Sequence, residues 1–171
     1  MNRATMSRRS GASRYLARGL VRCLVAMFAI SVLIACGGSD DSVDAAGGRE
    51  LLARVQNENY RSWRRAPGWE SRSPSVGGGH GGQLDIYVNE VVASILDNGG
   101  PVKELPVGSA IVKDVWNGTE IHAIAIMDKR ADGWYWAEFN GAGDVSAAGH
   151  PAGCINCHQS GVDCVRAFVL P

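Results

Sequence analysis

The sequence predicts an α+β fold: a mostly antiparallel β-sheet with an N-terminal helix, a helix between strands, and a chemically distinctive C-terminal segment. Three observations lead there. In "SAIVKDVWNGTEIHAIAIMDK" two apolar-rich runs flank Asn117-Gly118. Asn-Gly between β-branched runs is the strongest short-range hairpin signal, because both turn residues take positive φ. Two more short segments, "QLDIYVN" (83–89) and "GWYWAEFN" (133–140), alternate as strands do. Helical spacing is confined to the regions before and between these runs, without the regular βαβ alternation of a parallel sheet.

In chain order, "RELLARVQNENYRSWRR" (49–65) spaces Leu51, Leu52, Val55, Tyr60 and Trp63 as one amphipathic helix, with a break near Asn57–Asn59. Residues 66–82 hold prolines and "VGGGHGG", which read as loop. After the strand at 83–89, "NEVVASILDNGG" reads as a short helix with Asn89 as N-cap and Gly99 near its end. A two-residue turn at Asn117-Gly118 sets Trp116 opposite Thr119 and Lys113 opposite His122. Period two then puts Ile111, Lys113 and Val115 on one face. The same alternation puts Glu138 with Trp134 and Trp136.

The ends of the chain carry other information. The first 35 residues contain six arginines and no acid, and close with the apolar run "CLVAMFAISVLIA". A basic region followed by a short apolar one is a secretory signal. Its 13 residues span only about 20 Å as a helix, short of the roughly 30 Å hydrocarbon core. The run ends in "LIAC" (33–36), which resembles the lipobox of bacterial lipoproteins. That resemblance implies cleavage before Cys36 and acylation of its thiol. The expected organisation is therefore a lipoprotein signal peptide at 1–35, a lipidated cysteine and Gly/Ser/Asp/Ala tether at 36–48, and one domain at 49–171. Gly37 is not the aspartate linked to inner-membrane retention, so an exported protein on the outer membrane's periplasmic face is expected. Six of the 17 basic residues go with the signal, leaving 11 against 17 acidic ones. An acidic exported domain is a poor nucleic-acid binder.

"HPAGCINCHQSG" (150–161) carries the chemistry. Cys-x-x-Cys-His can hold zinc, run a thiol–disulfide couple, or attach a c-type haem. Structural zinc sites bring two ligand pairs, and the second pair is missing. A thioredoxin-like motif opens a helix in a βαβ unit, which is absent from this pattern. Haem attachment fits: Cys154 and Cys157 lie about one helical turn apart for two thioether bonds, and His158 follows as axial iron ligand. The C-terminal segment is thus a haem-attachment segment for one covalently bound c-type haem. Cys164 remains as a small buried residue. A second axial ligand could come from Met127, the one methionine after residue 35, or from His80, His122 or His150. Without one, the iron would bind small ligands.

The ordered set "NYRSW" (59–63), "IYVNE" (86–90), "LPVGSAIVKDV" (105–115), "GWYWAEF" (133–139) and "CINCH" (154–158) resembles the cytochrome P-460 and cytochrome c′-beta family. The resemblance implies an antiparallel sheet, a homodimer and a five-coordinate haem. In P-460 members a strand lysine bonds the porphyrin edge, and by motif position this is Lys113. Those members oxidise hydroxylamine and act on nitric oxide, so a small nitrogen-oxide ligand and a soluble redox partner are implied. The c′-beta members lack the crosslink and bind gases, which leaves a non-enzymatic gas-binding or electron-transfer protein as the alternative. Oxidation of an N–H bond needs a proton acceptor, for which Glu138 and His122 are the candidates.

Overall fold

The computed structural model describes residues 42–75 and 79–171. The signal segment and Cys36 lie outside the described residues. Helix α1 (Ala45–Asn57) starts four residues before the expected domain boundary. Asp44 caps it, its carboxylate accepting the Gly47 N–H at 2.9 Å. The helix stops near the expected break: Asn59 takes a left-handed φ of 53° and leads into a 3-10 turn at Tyr60–Ser62. It does not run to residue 65 as expected, because Arg64–Arg65 form a short strand, β1, against the sheet.

The sheet also contains β2 (Ser73–Pro74), β3 (Gln83–Val88), β4 (Ala110–Asn117), β5 (Glu120–Arg130), β6 (Gly133–Asn140) and β7 (Val145–Gly149). All pairings are antiparallel, in the order β1-β3-β4-β5-β6-β7, with β2 also on β3. Helix α2 (Glu90–Asn98) connects β3 to β4. Its ends are those read from the sequence, with Asn89 accepting the Val92 N–H and Gly99 in the left-handed region at φ 64°. Helix α3 (Ala152–His158) follows β7. Among the described residues no helix is long and apolar enough to cross a membrane.

The hairpin is present but its register is corrected. Asn117 pairs with Glu120, so the loop is Gly118-Thr119 rather than Asn117-Gly118. A bulge between the Val115–Ala123 and Trp116–Ile121 pairs then shifts the ladder again. His122 is the extra residue of that bulge, and it is exposed. Lys113 consequently faces Ala125, not His122.

The sheet's two faces bury different cores. On one, α1 packs Leu51 and Val55 against Tyr135, Ala137, Phe139 and Ala148. Gly48 allows this approach, because a Cβ there would come within 2.9 Å of the Ala148 Cβ. On the other, Ile86, Ile111, Val115, Met127, Trp134 and Trp136 meet the C-terminal segment through Ile155, Val165, Phe168 and Leu170. Burying each large aliphatic or aromatic contributes roughly 1.5–3 kcal/mol. Polar ties fix that segment in place. Trp69 Nε1 donates to the Ala167 carbonyl at 2.7 Å, and Lys129 Nζ meets the Asp163 carboxylate at 2.8 Å.

Candidate haem-attachment site

Between α3 and the second face lies a cleft of about 190 Å³. Its walls are mostly apolar. The sheet contributes Ile111, Lys113, Ala125, Met127, Trp136 and Glu138, and α3 contributes Cys154, Cys157 and His158. His80 closes it from the loop before β3.

Register explains the sheet's contribution. Ile86, Lys113, Ala125 and Glu138 stand in one row across β3, β4, β5 and β6. Neighbouring strands are about 4.8 Å apart, so Lys113 and Glu138 flank the small Ala125 within reach of one group seated above it. Burial pushes the Lys113 ammonium down to about 8, partly opposed by Cys157 and Glu138. Burial likewise raises the Cys154 thiol, with Glu138 and Cys157 adding to it.

On α3 the two cysteines are three residues apart, and both are free. His158 Nδ1 lies 2.9 Å from the Cys164 carbonyl. A carbonyl only accepts, so Nδ1 carries the proton and Nε2 keeps its lone pair. Metal-binding histidines are commonly held this way. The turn that presents this carbonyl has left-handed backbone at Asp163 (φ 47°) and Cys164 (φ 63°). Trp136 packs edge-on against the His158 ring at 4.6 Å between centroids. Arg166 clasps the other side of the motif, donating to the Cys157 carbonyl at 2.7 Å and reaching its Sγ at 3.1 Å. Cys164 is buried as expected.

The other expected residues divide. Glu138 and Lys113 line the cleft, as do Met127 and His80. His122 does not line it, because the bulge leaves its side chain exposed. His150 packs against Tyr135 at 6.1 Å, on the α1 side of the sheet. Burial pushes the His80 imidazole down to about 4, with Lys113 and His158 adding to the effect. Two contributors were not anticipated from the sequence: Trp136 as a neighbour of His158, and Arg166 on Cys157. The aromatic alternation of β6 signalled the first; nothing local signalled the second.

The residues fit a c-type haem. Two free thiols at helical spacing, an imidazole with its Nε2 lone pair kept free and an apolar cleft are what covalent attachment and iron ligation require. Among the described residues no three His, Cys, Asp or Glu side chains gather as a metal cage, so the Cys154–Cys157 pair lacks the further ligands that zinc would use.

Antiparallel sheet, C-terminal Cys-x-x-Cys-His helix and cleft together define a c-type cytochrome. A family model described as Cytochrome P460 matches residues 57–165, well over half of the chain. The chain belongs to the cytochrome P460 family and carries one covalently bound c-type haem. No curated protein matches it.

Proposed function

We propose that this cytochrome oxidises hydroxylamine, nitric oxide or both, and passes the electrons to a soluble acceptor. When bound, the haem would supply redox chemistry at its iron. Cys154 and Cys157 hold the haem, each thiol adding its sulfur and hydrogen across a vinyl group. His158 binds the iron through Nε2, oriented by the Cys164 carbonyl. Glu138, in the wall beside Ala125, takes up a proton as a substrate N–H bond is lost. The protein works as a homodimer outside the cytoplasm, tethered to the membrane through lipid on Cys36.

The observation that carries this reading is Lys113, whose amine sits in the cleft beside Cys157 and opposite Glu138. We assign to it the bond to the porphyrin edge that separates oxidising members from gas binders. Forming that bond replaces one N–H and one C–H by N–C. The two hydrogens leave with two electrons, which hydrogen peroxide accepts in becoming two waters. The test compares wild type with Lys113→Ala, both matured with haem. Wild type should show a red-shifted ferrous Soret band and turn over hydroxylamine with an artificial acceptor. Lys113→Ala should keep its haem and lose both. An ordinary ferrous Soret band in wild type, unchanged in the variant, would favour the gas-binding or electron-transfer alternative.

A further inference from the structure

Three Asn-Gly steps lie in the chain: Asn98-Gly99, Asn117-Gly118 and Asn140-Gly141. At such a step a polypeptide can modify itself. The backbone nitrogen of the glycine attacks the side-chain carbonyl carbon of the asparagine, and glycine has no Cβ to obstruct the approach. One C–N bond forms and another breaks, and the amide nitrogen leaves as ammonia with the glycine N–H proton. Water then opens the cyclic imide at either carbonyl. The product is aspartate or, with the backbone rerouted through the side chain, isoaspartate. No oxidant or reductant takes part. The reaction needs a side chain free to turn and a glycine nitrogen free to meet it.

The fold treats the three steps differently. Asn140 is tied down. Its side-chain oxygen accepts the Ala142 N–H at 3.0 Å and the Asp144 N–H at 2.9 Å, and its amide donates to the Asp144 carboxylate at 3.2 Å. Gly141 is also crowded, since a Cβ there would lie 2.8 Å from the Ile121 carbonyl oxygen. Asn98 is the last residue of α2. On a helix the Cα–Cβ bond tilts toward the N-terminus, which carries this side chain away from the Gly99 nitrogen. Asn117 has neither restraint. It ends β4, exposed, and Gly118 opens the two-residue loop with a φ of 62°. Among the described residues the Asn117 side chain has no hydrogen-bond partner, and neither does the Gly118 N–H. Nothing lies within 4 Å of the position a Cβ on Gly118 would take.

We infer that Asn117 is a site of spontaneous deamidation in the folded protein, and that the fold spares Asn98 and Asn140. The consequence is local and electrostatic. Asn117 pairs directly with Glu120 across the hairpin. A carboxylate at 117 therefore sets two like charges opposite one another, which is destabilising, and isoaspartate adds one backbone carbon at the end of β4. The bulge between Val115 and Trp116 comes next along this ladder, so the modification loosens the hairpin from its tip. None of this depends on haem.

The experiment ages purified wild type at mildly alkaline pH, both folded and in denaturing urea, and follows it by tryptic mass mapping with fragmentation. The lysines and arginines place the three steps in separate peptides: Asn98 in 73–103, Asn117 in 104–129 or the shorter 114–129, and Asn140 in 131–166. The change read is one side-chain amide replaced by one carboxyl. In the folded protein Asn117 should convert at least about tenfold faster than Asn140, the factor expected when a side chain must first give up hydrogen bonds. It should also outpace Asn98. In urea the three rates should converge. Asn117→Gln should abolish the first acidic form to appear on anion exchange. An unconverted Asn117 in the folded protein, or one that converts no faster than Asn98 or Asn140, overturns the inference. An early acidic form that persists in Asn117→Gln overturns it as well.

Discussion

Asp163→Asn should loosen the turn that orients His158. Both oxygens of the Asp163 carboxylate are engaged: one meets Lys129 Nζ at 2.8 Å, and the other accepts the Leu105 N–H at 2.8 Å. The side chains are 0% and 3% exposed for Asp163 and Lys129. Breaking such a buried pair costs about 3–5 kcal/mol, because one charge is left uncompensated. Two features hold the expectation to the lower end, about 3 kcal/mol. Glu104 remains 3.0 Å from Lys129, and the amide oxygen still accepts one bond. Asparagine tolerates the left-handed φ as aspartate does, so backbone strain does not enter. With a urea slope of about 1–3 kcal/mol/M, the midpoint of the haem-loaded protein should fall by roughly 1–3 M. Glu104→Gln is the control. Its carboxylate is 60% exposed, so it should cost less than about 1 kcal/mol. A loss within about 0.5 kcal/mol of zero for Asp163→Asn, the range of ordinary surface changes, would refute the reasoning. Equal losses for both variants would do the same.

Other predictions concern the loop, the proton path and the first helix. Gly82→Ala should destabilise by about 1–3 kcal/mol, since a Cβ there meets the Trp116 carbonyl; an unchanged urea midpoint counts against the loop geometry. Glu138→Gln should retain haem and slow hydroxylamine oxidation roughly 100-fold or more, the usual scale of a lost general base; unchanged steady-state turnover would remove Glu138 from the reaction. The Asp44 carboxyl is held below its ordinary range by the Gly47 N–H, then by the Tyr135 hydroxyl. Its stabilising effect is therefore full above about pH 4 and fades as pH falls through its lower folded value. Thermal melts should show Asp44→Asn losing less stability than wild type between pH 5 and pH 3.

Much of this site was legible because it depends on local rules. Cys-x-x-Cys-His is one helical turn, and Asn89 and Gly99 bound α2 by capping chemistry. Strict alternation put Glu138 with Trp134 and Trp136, and Lys113 with Ile111 and Val115, whatever their partners. The register between strands was not legible. A hairpin loop displaced by one residue and a bulge at His122 moved Lys113 opposite Ala125, and neither has a sequence signature as strong as Asn-Gly itself. That shift removed His122 from the site and set Lys113 in line with Glu138. The approach of His80 to His158 spans nearly half the chain. It depends on how a glycine loop folds back over β3 and β4, which no local pattern encodes. The start of α1 was placed four residues late because Gly47 and Gly48 resemble tether, although packing on Ala148 favours a glycine at 48.

In the proposed holoprotein, the cleft between α3 and the sheet holds one haem bonded to Cys154 and Cys157, with Lys113 as a third attachment. The intact mass of the purified protein, measured after denaturation and acid extraction of loose haem, tests it most directly. The expected mass is the mature polypeptide plus one haem, lighter by two hydrogens than two thioether bonds alone give, with that deficit abolished in Lys113→Ala. A mass equal to the bare polypeptide would contradict haem attachment, and a full-weight adduct in wild type would contradict the Lys113 bond.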